Sequence, residues 1–367
     1  MTAATEPYVL NIGPQHPSTH GVFRIRVVMD GERIEDIDMV VGYLHRSMEK
    51  LAEERTYTQN IPFTDRTDYL AAMSNNLGYC LAAEKLAGVE VPDRASYLRV
   101  IFAELQRIAS HAMANGQIVS DAGAWQTPLL YMFREREKIL DLFEMTCGAR
   151  LTTNYMRIGG VAYDPPDEFY PAVNALIDEL PDRLDEYNEL IVDNEIFIAR
   201  ARGVGVISAE DAINASLTGP MLRASGVPWD LRKAEPYAVY DRMDFEIPVT
   251  QQGDSYDRFM VRMEEVRQSV RIIRQALDDM PSGAHKTDIP LAIRPEPGEV
   301  YSRVEGPRGE LGFYLVSDGG PAPYRFHIRP PSLINLSLLR DMAVGASLPD
   351  AVVALGSIDI VLGEVDR

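Results

Sequence analysis

Near residue 46 the spacing of apolar residues changes from two to between three and four, which limits the chain to a fold where a small sheet precedes a large helical body. Before that point, residues 9–12, 22–28 and 34–41 alternate in polarity as strands do, with an Asp30-Gly31 turn between the last two, so an antiparallel sheet is expected. After it the spacing predicts helices over 47–55, 68–88, 97–119, 128–147, 167–200 and 254–278. In the last of these Phe259, Met263, Val266, Val270, Ile273 and Leu277 form one buried stripe, with arginines and glutamates between them. Long helices joined by short loops imply a helical bundle as the main core.

Strand patterning returns over 299–304, 311–316 and 324–328, followed by a short helix near 332–341. The run from Ile358 to Leu362 is apolar but for Asp359, and a segment of that kind is expected to be buried. The expected class is therefore α+β, with an N-terminal β domain over 1–46, a helical bundle core over 47–285 and a small C-terminal α/β unit over 286–367 whose tail returns to the core. No repeat or low-complexity segment interrupts this plan, and the proline-rich stretch 281–297 reads as a linker or exposed loop.

Charge and cysteine usage narrow the function. Asp and Glu outnumber Lys and Arg by 55 to 36, a formal charge of −19, which repels nucleic acid and anionic lipid on average. The two cysteines, Cys80 and Cys147, supply neither a disulfide framework nor a CxxC metal signature, and the expected compartment is the reducing cytoplasm. Residues 1–7 lack the basic and apolar regions of a secretory leader, and no stretch approaches 18 uninterrupted apolar residues. Gly306-Pro307-Arg308-Gly309-Glu310-Leu311-Gly312 lacks the Lys-Ser/Thr of a phosphate loop and reads as a turn. Gly203-Val204-Gly205-Val206 begins a dinucleotide fingerprint, but Ser208 stands where its third glycine belongs.

Three places carry side chains suited to chemistry. The loop from Gly13 to Gly21, stiffened by Pro14 and Pro17, holds His16 and His20, which either face a cleft or cap the sheet. Asp65-Arg66-Thr67-Asp68-Tyr69 opens an apolar helix, where the tyrosine hydroxyl can reach a ligand while both aspartates have an alternative role as caps. Asp121, in Ser120-Asp121-Ala122-Gly123, is a cap unless it is buried beside a positive partner.

Taken together, Gly13-Pro14-Gln15-His16-Pro17-Ser18-Thr19-His20-Gly21, Gly42-Tyr43-Leu44-His45-Arg46, Glu49-Lys50, Phe133-Arg134-Glu135-Arg136-Glu137, Arg157-Ile158-Gly159-Gly160, Arg223-Ala224-Ser225-Gly226, Gly309-Glu310-Leu311-Gly312 and Gly363-Glu364-Val365-Asp366-Arg367 resemble the quinone-site subunits of NADH-quinone oxidoreductase, respiratory complex I. The resemblance implies a quinone headgroup site shared with a partner, the iron–sulfur subunit, that bears a [4Fe–4S] cluster. His20 and Tyr69 match the family's headgroup ligands, Asp121 the acid paired with that histidine, and Arg46 a residue near the partner's cluster. The implied partners are thus subunits B, C, I and H of the complex, the first of them the cluster-bearing one. A peripheral place on the cytoplasmic side of the cell membrane, no cofactor on this chain and no activity of the chain alone are implied as well. Two departures stand out: Thr152 occupies a position where many relatives carry histidine, and the stretch 281–297 is shorter than in many members.

Nickel-iron hydrogenase large subunits look like distant cousins, which implies a hydrogenase-like fold from which the metal has been lost. Their metal-holding cysteines fall at Asp68, Ala71, Val361 and Glu364 here, and without thiolates a nickel-iron centre is not expected. Two rival functions remain at this stage. One is the equivalent subunit of a membrane oxidoreductase fed by ferredoxin or another donor, and the other is a non-catalytic scaffold.

Overall fold

The computed structural model describes residues 6–123, 126–290 and 292–367. Residues 1–5, used above for the leader reading, lie outside the described residues, as does Leu291 of the 281–297 stretch. The strands Tyr8–Ile12, Arg24–Asp30 and Arg33–Val40 form an antiparallel sheet in that spatial order, with Ile25 facing Ile12 on one side and Met39 on the other. Its inward residues Ile25, Val27, Met29, Ile34 and Ile37 are buried, as the alternation required. The expected strand over 22–28 is split. Gly21–Val22 pairs instead with Gln15–His16, because the Phe23 N–H bonds to the Pro14 carbonyl and closes the loop on itself.

Helices supply the main body. The helix Asp93–Asp121, of 29 residues and so about 44 Å long, is buried at every residue from 95 to 111 and packs against Thr127–Cys147 and Ser255–Asp279. The expectation over 68–88 is corrected: the helix begins at Ala72, because the Asp68 carboxylate accepts the Leu70 and Ala71 N–H groups and holds a turn before it. A helix not expected, Tyr57–Asp65, precedes that turn and is started by a capping box between Thr56 and Gln59. The helix over 167–200 breaks into Phe169–Tyr187, a π turn at Asn188–Val192 and Glu195–Ala201, the last restarted by Asn194, whose side chain accepts the Ile196 and Phe197 N–H groups. In Ser255–Asp279 the apolar stripe is buried from Phe259 to Ile273 and partly so at Leu277, but Arg258, Arg262 and Glu265 between its members are buried as well.

The C-terminal strands Gly298–Gly306, Gly309–Ser317 and Arg325–Arg329 form a second antiparallel sheet packed on the Ala72–Ala87 helix, where Tyr79 meets Phe313 and Phe326. The expected single helix over 332–341 is two, Pro331–Leu336 and Leu339–Ala343. Helices not expected follow at Leu348–Ile358 and Leu362–Asp366. They bury the apolar tail against the N-terminal sheet, so Phe23, Val27, Ile358 and Leu362 share one core. The bundle and the second sheet share a larger one. Helices and sheets thus occupy separate stretches of chain, which is α+β architecture.

Gly160 shows how closely the segments meet. Its φ is +152°, and a Cβ there would lie 2.3 Å from the His285 carbonyl oxygen and 2.6 Å from Lys286 Cα, both backbone. Gly160→Ala is expected to cost about 1–3 kcal/mol, since the 285–287 backbone must move away. A thermal midpoint equal to the parent's would contradict this.

Candidate functional site

The loop 13–21 is fixed by its own hydrogen bonds. Thr19 Oγ1 donates towards the carbonyls of His16 (2.7 Å) and Gly21 (2.9 Å), and His16 Nδ1 accepts the Ser18 N–H. His16, which is exposed, therefore caps the loop. His20 does something else: its φ of 56° is left-handed, a conformation costly for a side-chain-bearing residue, and it turns the imidazole inward.

His20 Nε2 lies 2.8 Å from Asp121 Oδ2, and Nδ1 lies 3.3 Å from Gln117 Oε1; the side chain is only 8 % exposed. Both neighbours are acceptors, an arrangement that suits a ring protonated on both nitrogens. Burial disfavours that charge, but Asp121, then Gln117 and Asp359, outweigh it and hold the pKa above the usual 6.5. Asp121 is the last residue of its helix, where the negative dipole end disfavours a carboxylate, so capping does not account for it. Gly356 makes the room: a Cβ there would lie 2.3 Å from Asp121 Oδ2 and 3.3 Å from His20 Nε2.

Tyr69 sits in the turn between Tyr57–Asp65 and Ala72–Ala87 and is 37 % exposed. Among the described residues its hydroxyl has no hydrogen-bond partner. Burial, then the charge of Asp68, push the phenol above its usual pKa against the pull of Arg308. Its ring edge lies against Gly363, where a Cβ would approach Tyr69 Cε1 to 3.3 Å and the Thr67 carbonyl to 2.6 Å. The His20–Asp121 pair and Tyr69 therefore abut one segment of chain, at Gly356 and Gly363. Arg46 is exposed on the loop after strand Arg33–Val40. That loop is clamped by Asp366, whose carboxylate accepts the Gly42 and Leu44 N–H groups at 2.7 Å each. Thr152 is partly exposed.

Beneath Tyr69 the hairpin 306–309, read from the sequence as a turn only, sends Arg308 into the core. Its guanidinium meets Asp68 Oδ2 at 2.6 Å and Asp359 Oδ1 at 3.2 Å, and Nε donates to the Asp359 carbonyl at 2.7 Å. Further in, His111 pairs with Glu265 (2.8 Å), Glu265 with Arg223 (2.7 Å), Arg223 with Glu305 (2.8 Å) and Arg232 with Asp230 (2.6 Å), all fully buried. Sequence reasoning missed Arg308, Asp359, Gln117 and this network. One signal was present, since Glu104, Arg107 and His111 recur three and four residues apart on one face of the helix Asp93–Asp121.

An open cleft of about 840 Å³, walled in part by Glu84, Arg99, Tyr237 and Arg303, includes none of His20, Tyr69 or Asp121. Its walls are ion pairs already closed, Glu84 with Arg99 and Arg303 with Glu235. The chemistry of the site therefore weighs more than volume in locating it. Among the described residues no helix is long and apolar enough to cross a membrane, and no group of three or more His, Cys, Asp or Glu is placed to hold a metal ion.

Residues 121–296 and 289–367 match the family described as respiratory-chain NADH dehydrogenase, 49 Kd subunit. A protein of Dehalococcoides mccartyi, named as the D subunit of NADH-quinone oxidoreductase, is 60 % identical over 367 residues, the whole of both chains. A protein of a Roseiflexus species that bears the same subunit name is 54 % identical over 371 residues, 99 % of each chain. Its namesake in Clostridium beijerinckii is 52 % identical over 363 residues, 99 % of this chain and 98 % of its own.

Proposed function

Because the chain belongs to the family of respiratory-chain NADH dehydrogenase 49 Kd subunits, whose relatives are named as NADH-quinone oxidoreductase subunits, we propose that it is the quinone-site subunit of a proton-translocating NADH:quinone oxidoreductase. The observation that carries the reading is the buried His20–Asp121 pair at 2.8 Å, built from residues far apart in sequence, beside a segment that also seats Tyr69 with its hydroxyl unengaged. Reduction of a quinone adds two electrons and places negative charge on two carbonyl oxygens, and each needs a donor. His20, kept cationic by Asp121, donates to one oxygen, and the Tyr69 hydroxyl donates to the other. Asp121 does not touch the substrate in this reading; it orients the imidazole and stabilises its charge.

A [4Fe–4S] cluster held by the neighbouring iron–sulfur subunit would supply the electrons. Arg46, exposed on a loop held by Asp366, would lend such a cluster a fixed positive charge that favours its reduced state. Subunits C, I and H complete the surroundings on the cytoplasmic side of the membrane. Descent from a nickel-iron hydrogenase-like fold belongs to the same reading. At the cousins' thiolate positions this chain has Asp68, Ala71, Val361 and Glu364, with no thiolate among them, and Arg308 pairs with Asp68 there.

The general test is to purify the native assembly, identify its subunits and measure NADH-driven quinone reduction. A finer test is Asp121→Asn, which keeps the ring oriented but removes the charge that raises its pKa. Turnover should fall on the order of tenfold or more while KM for a short-chain quinone changes little. The alkaline limb of the pH profile should move to lower pH, because a histidine with a lowered pKa loses its proton earlier. Parental turnover with an unmoved limb would remove Asp121 from the reaction.

A further inference from the structure

Gly356 is buried in the last turn of the helix Leu348–Ile358, where its φ is negative. No turn or reversal of the chain therefore requires a glycine there. Glycine is the poorest helix former after proline and alanine the best, so the backbone alone favours Gly356→Ala. The surroundings oppose it. The three atoms nearest to an added Cβ would be Asp121 Oδ2 at 2.3 Å, His20 Nε2 at 3.3 Å and Asp121 Cγ at 3.4 Å. Both atoms of the 2.8 Å contact between His20 and Asp121 thus border the space that a side chain at 356 would fill.

Which side gives way follows from how each is held. The Ser357 carbonyl accepts Arg262 Nη2 at 2.7 Å, and the Ser357 hydroxyl accepts Arg258 Nη1 at 2.9 Å while donating to the Ala354 carbonyl at 2.6 Å, all of it buried. The Gly356 carbonyl accepts the Asp359 N–H, and the Asp359 carbonyl accepts Arg308 Nε. The end of this helix is therefore fixed from behind. Asp121 Oδ2, in contrast, is the far end of a side chain that is 17 % exposed, on the last residue of its helix. Rotation about the bonds of Asp121 turns the carboxylate towards solvent at little cost. A methyl group at 356 displaces that carboxylate and spares the fold.

We propose that Gly356 is a positioning residue of the reaction, its missing side chain being what lets the Asp121 carboxylate reach His20. The proposal rests on the reading that His20 donates a proton to the quinone. Gly356 touches no substrate in it and acts through Asp121. The charged groups facing His20 are Asp121, at the end of Asp93–Asp121, and Asp359, just past Leu348–Ile358, with Gln117 as the second polar contact. Once Asp121 has turned away, Gln117 and Asp359 alone oppose burial, and the imidazole loses its proton at lower pH.

The test is the pH dependence of quinone turnover on the intact complex carrying Gly356→Ala, alone and combined with Asp121→Ala. In Gly356→Ala, assembly and the thermal midpoint stay at the parental level. At neutral pH kcat falls on the order of tenfold with KM for a short-chain quinone little changed, and the alkaline limb moves to lower pH, so part of the turnover returns on acidification. Asp121→Ala removes the oxygen that the new methyl group meets, so adding Gly356→Ala to it costs less than about twofold. Equal losses from Gly356→Ala in both backgrounds, or an unmoved alkaline limb, would mark a merely structural role and overturn the proposal. So would parental turnover of Gly356→Ala while Asp121→Asn is impaired. If the quinone reading itself is wrong, Asp121→Asn and Tyr69→Phe keep parental turnover too, and the proposal falls with that reading.

Discussion

Arg308→Met is expected to lower the stability of the chain by about 3–5 kcal/mol, the usual cost of removing one partner from a buried ion pair. The methionine fills most of the arginine's volume, so the loss reports charge rather than a cavity. Asp68 and Asp359, now facing each other with no guanidinium between them, must either take up protons or draw in water. Against a typical total of about 5–15 kcal/mol this is a large share, and the complex should be recovered in much reduced yield. Arg308→Lys should rescue little, because one ammonium cannot reach two carboxylates and a carbonyl with the arginine's fork. Denaturant midpoints for Arg308→Met that match the parent's would show that the cluster holds nothing together.

The second large effect is catalytic. Tyr69→Phe should leave the fold intact, since the hydroxyl makes no hydrogen bond to the described residues and the ring keeps its place against Gly363. Quinone turnover should fall on the order of 10²-fold, the usual worth of one donor at an oxygen that gains charge in the transition state. Reduction of the partner's cluster by upstream donors should stay at the parental rate, which separates this loss from a failure of assembly. A fully assembled variant with parental turnover would move the reaction site away from Tyr69.

How much of this was legible in sequence depends on the range of the interaction involved. The strands 8–12, 24–30 and 33–40 and the long helices followed from local periodicity, because one face of each is buried and that face dictates the pattern. Breaks set by a single side chain were less legible. Asn194 restarts a helix and Asp68 delays one, yet each is also an ordinary polar residue in a helical window. The resemblance pointed to His20, Tyr69 and Asp121, and the fold brings His20 and Asp121 into contact. Arg308 was invisible because its partners lie 240 and 51 residues away and its own surroundings, Gly-Pro-Arg-Gly, advertise only a turn. The buried arginines of Ser255–Asp279 were illegible for a related reason: spacing marks the apolar stripe and says nothing of guanidinium groups held by carbonyls outside the helix, as Arg258 is by Gly205 and Gly253 and Arg262 by Ser357.

Asp366 holds the Gly42–Leu44 loop across a separation of 324 residues, and Gly356 and Gly363 seat side chains from positions 121 and 69. During synthesis this places a delay inside the site. At ~5–20 residues per second, His20 leaves the ribosome roughly 20–70 s before Glu364 does. Throughout that interval the N-terminal sheet has Phe23, Ile25 and Val27 without the helices that cover them, and Arg308, when it emerges, lacks Asp359. The nascent chain thus carries an uncovered apolar sheet and an unpaired guanidinium until the segment 356–366 is made and docks. Damage to 356–366 consequently shows first as chain lost to aggregation or proteolysis and only afterwards as slow enzyme.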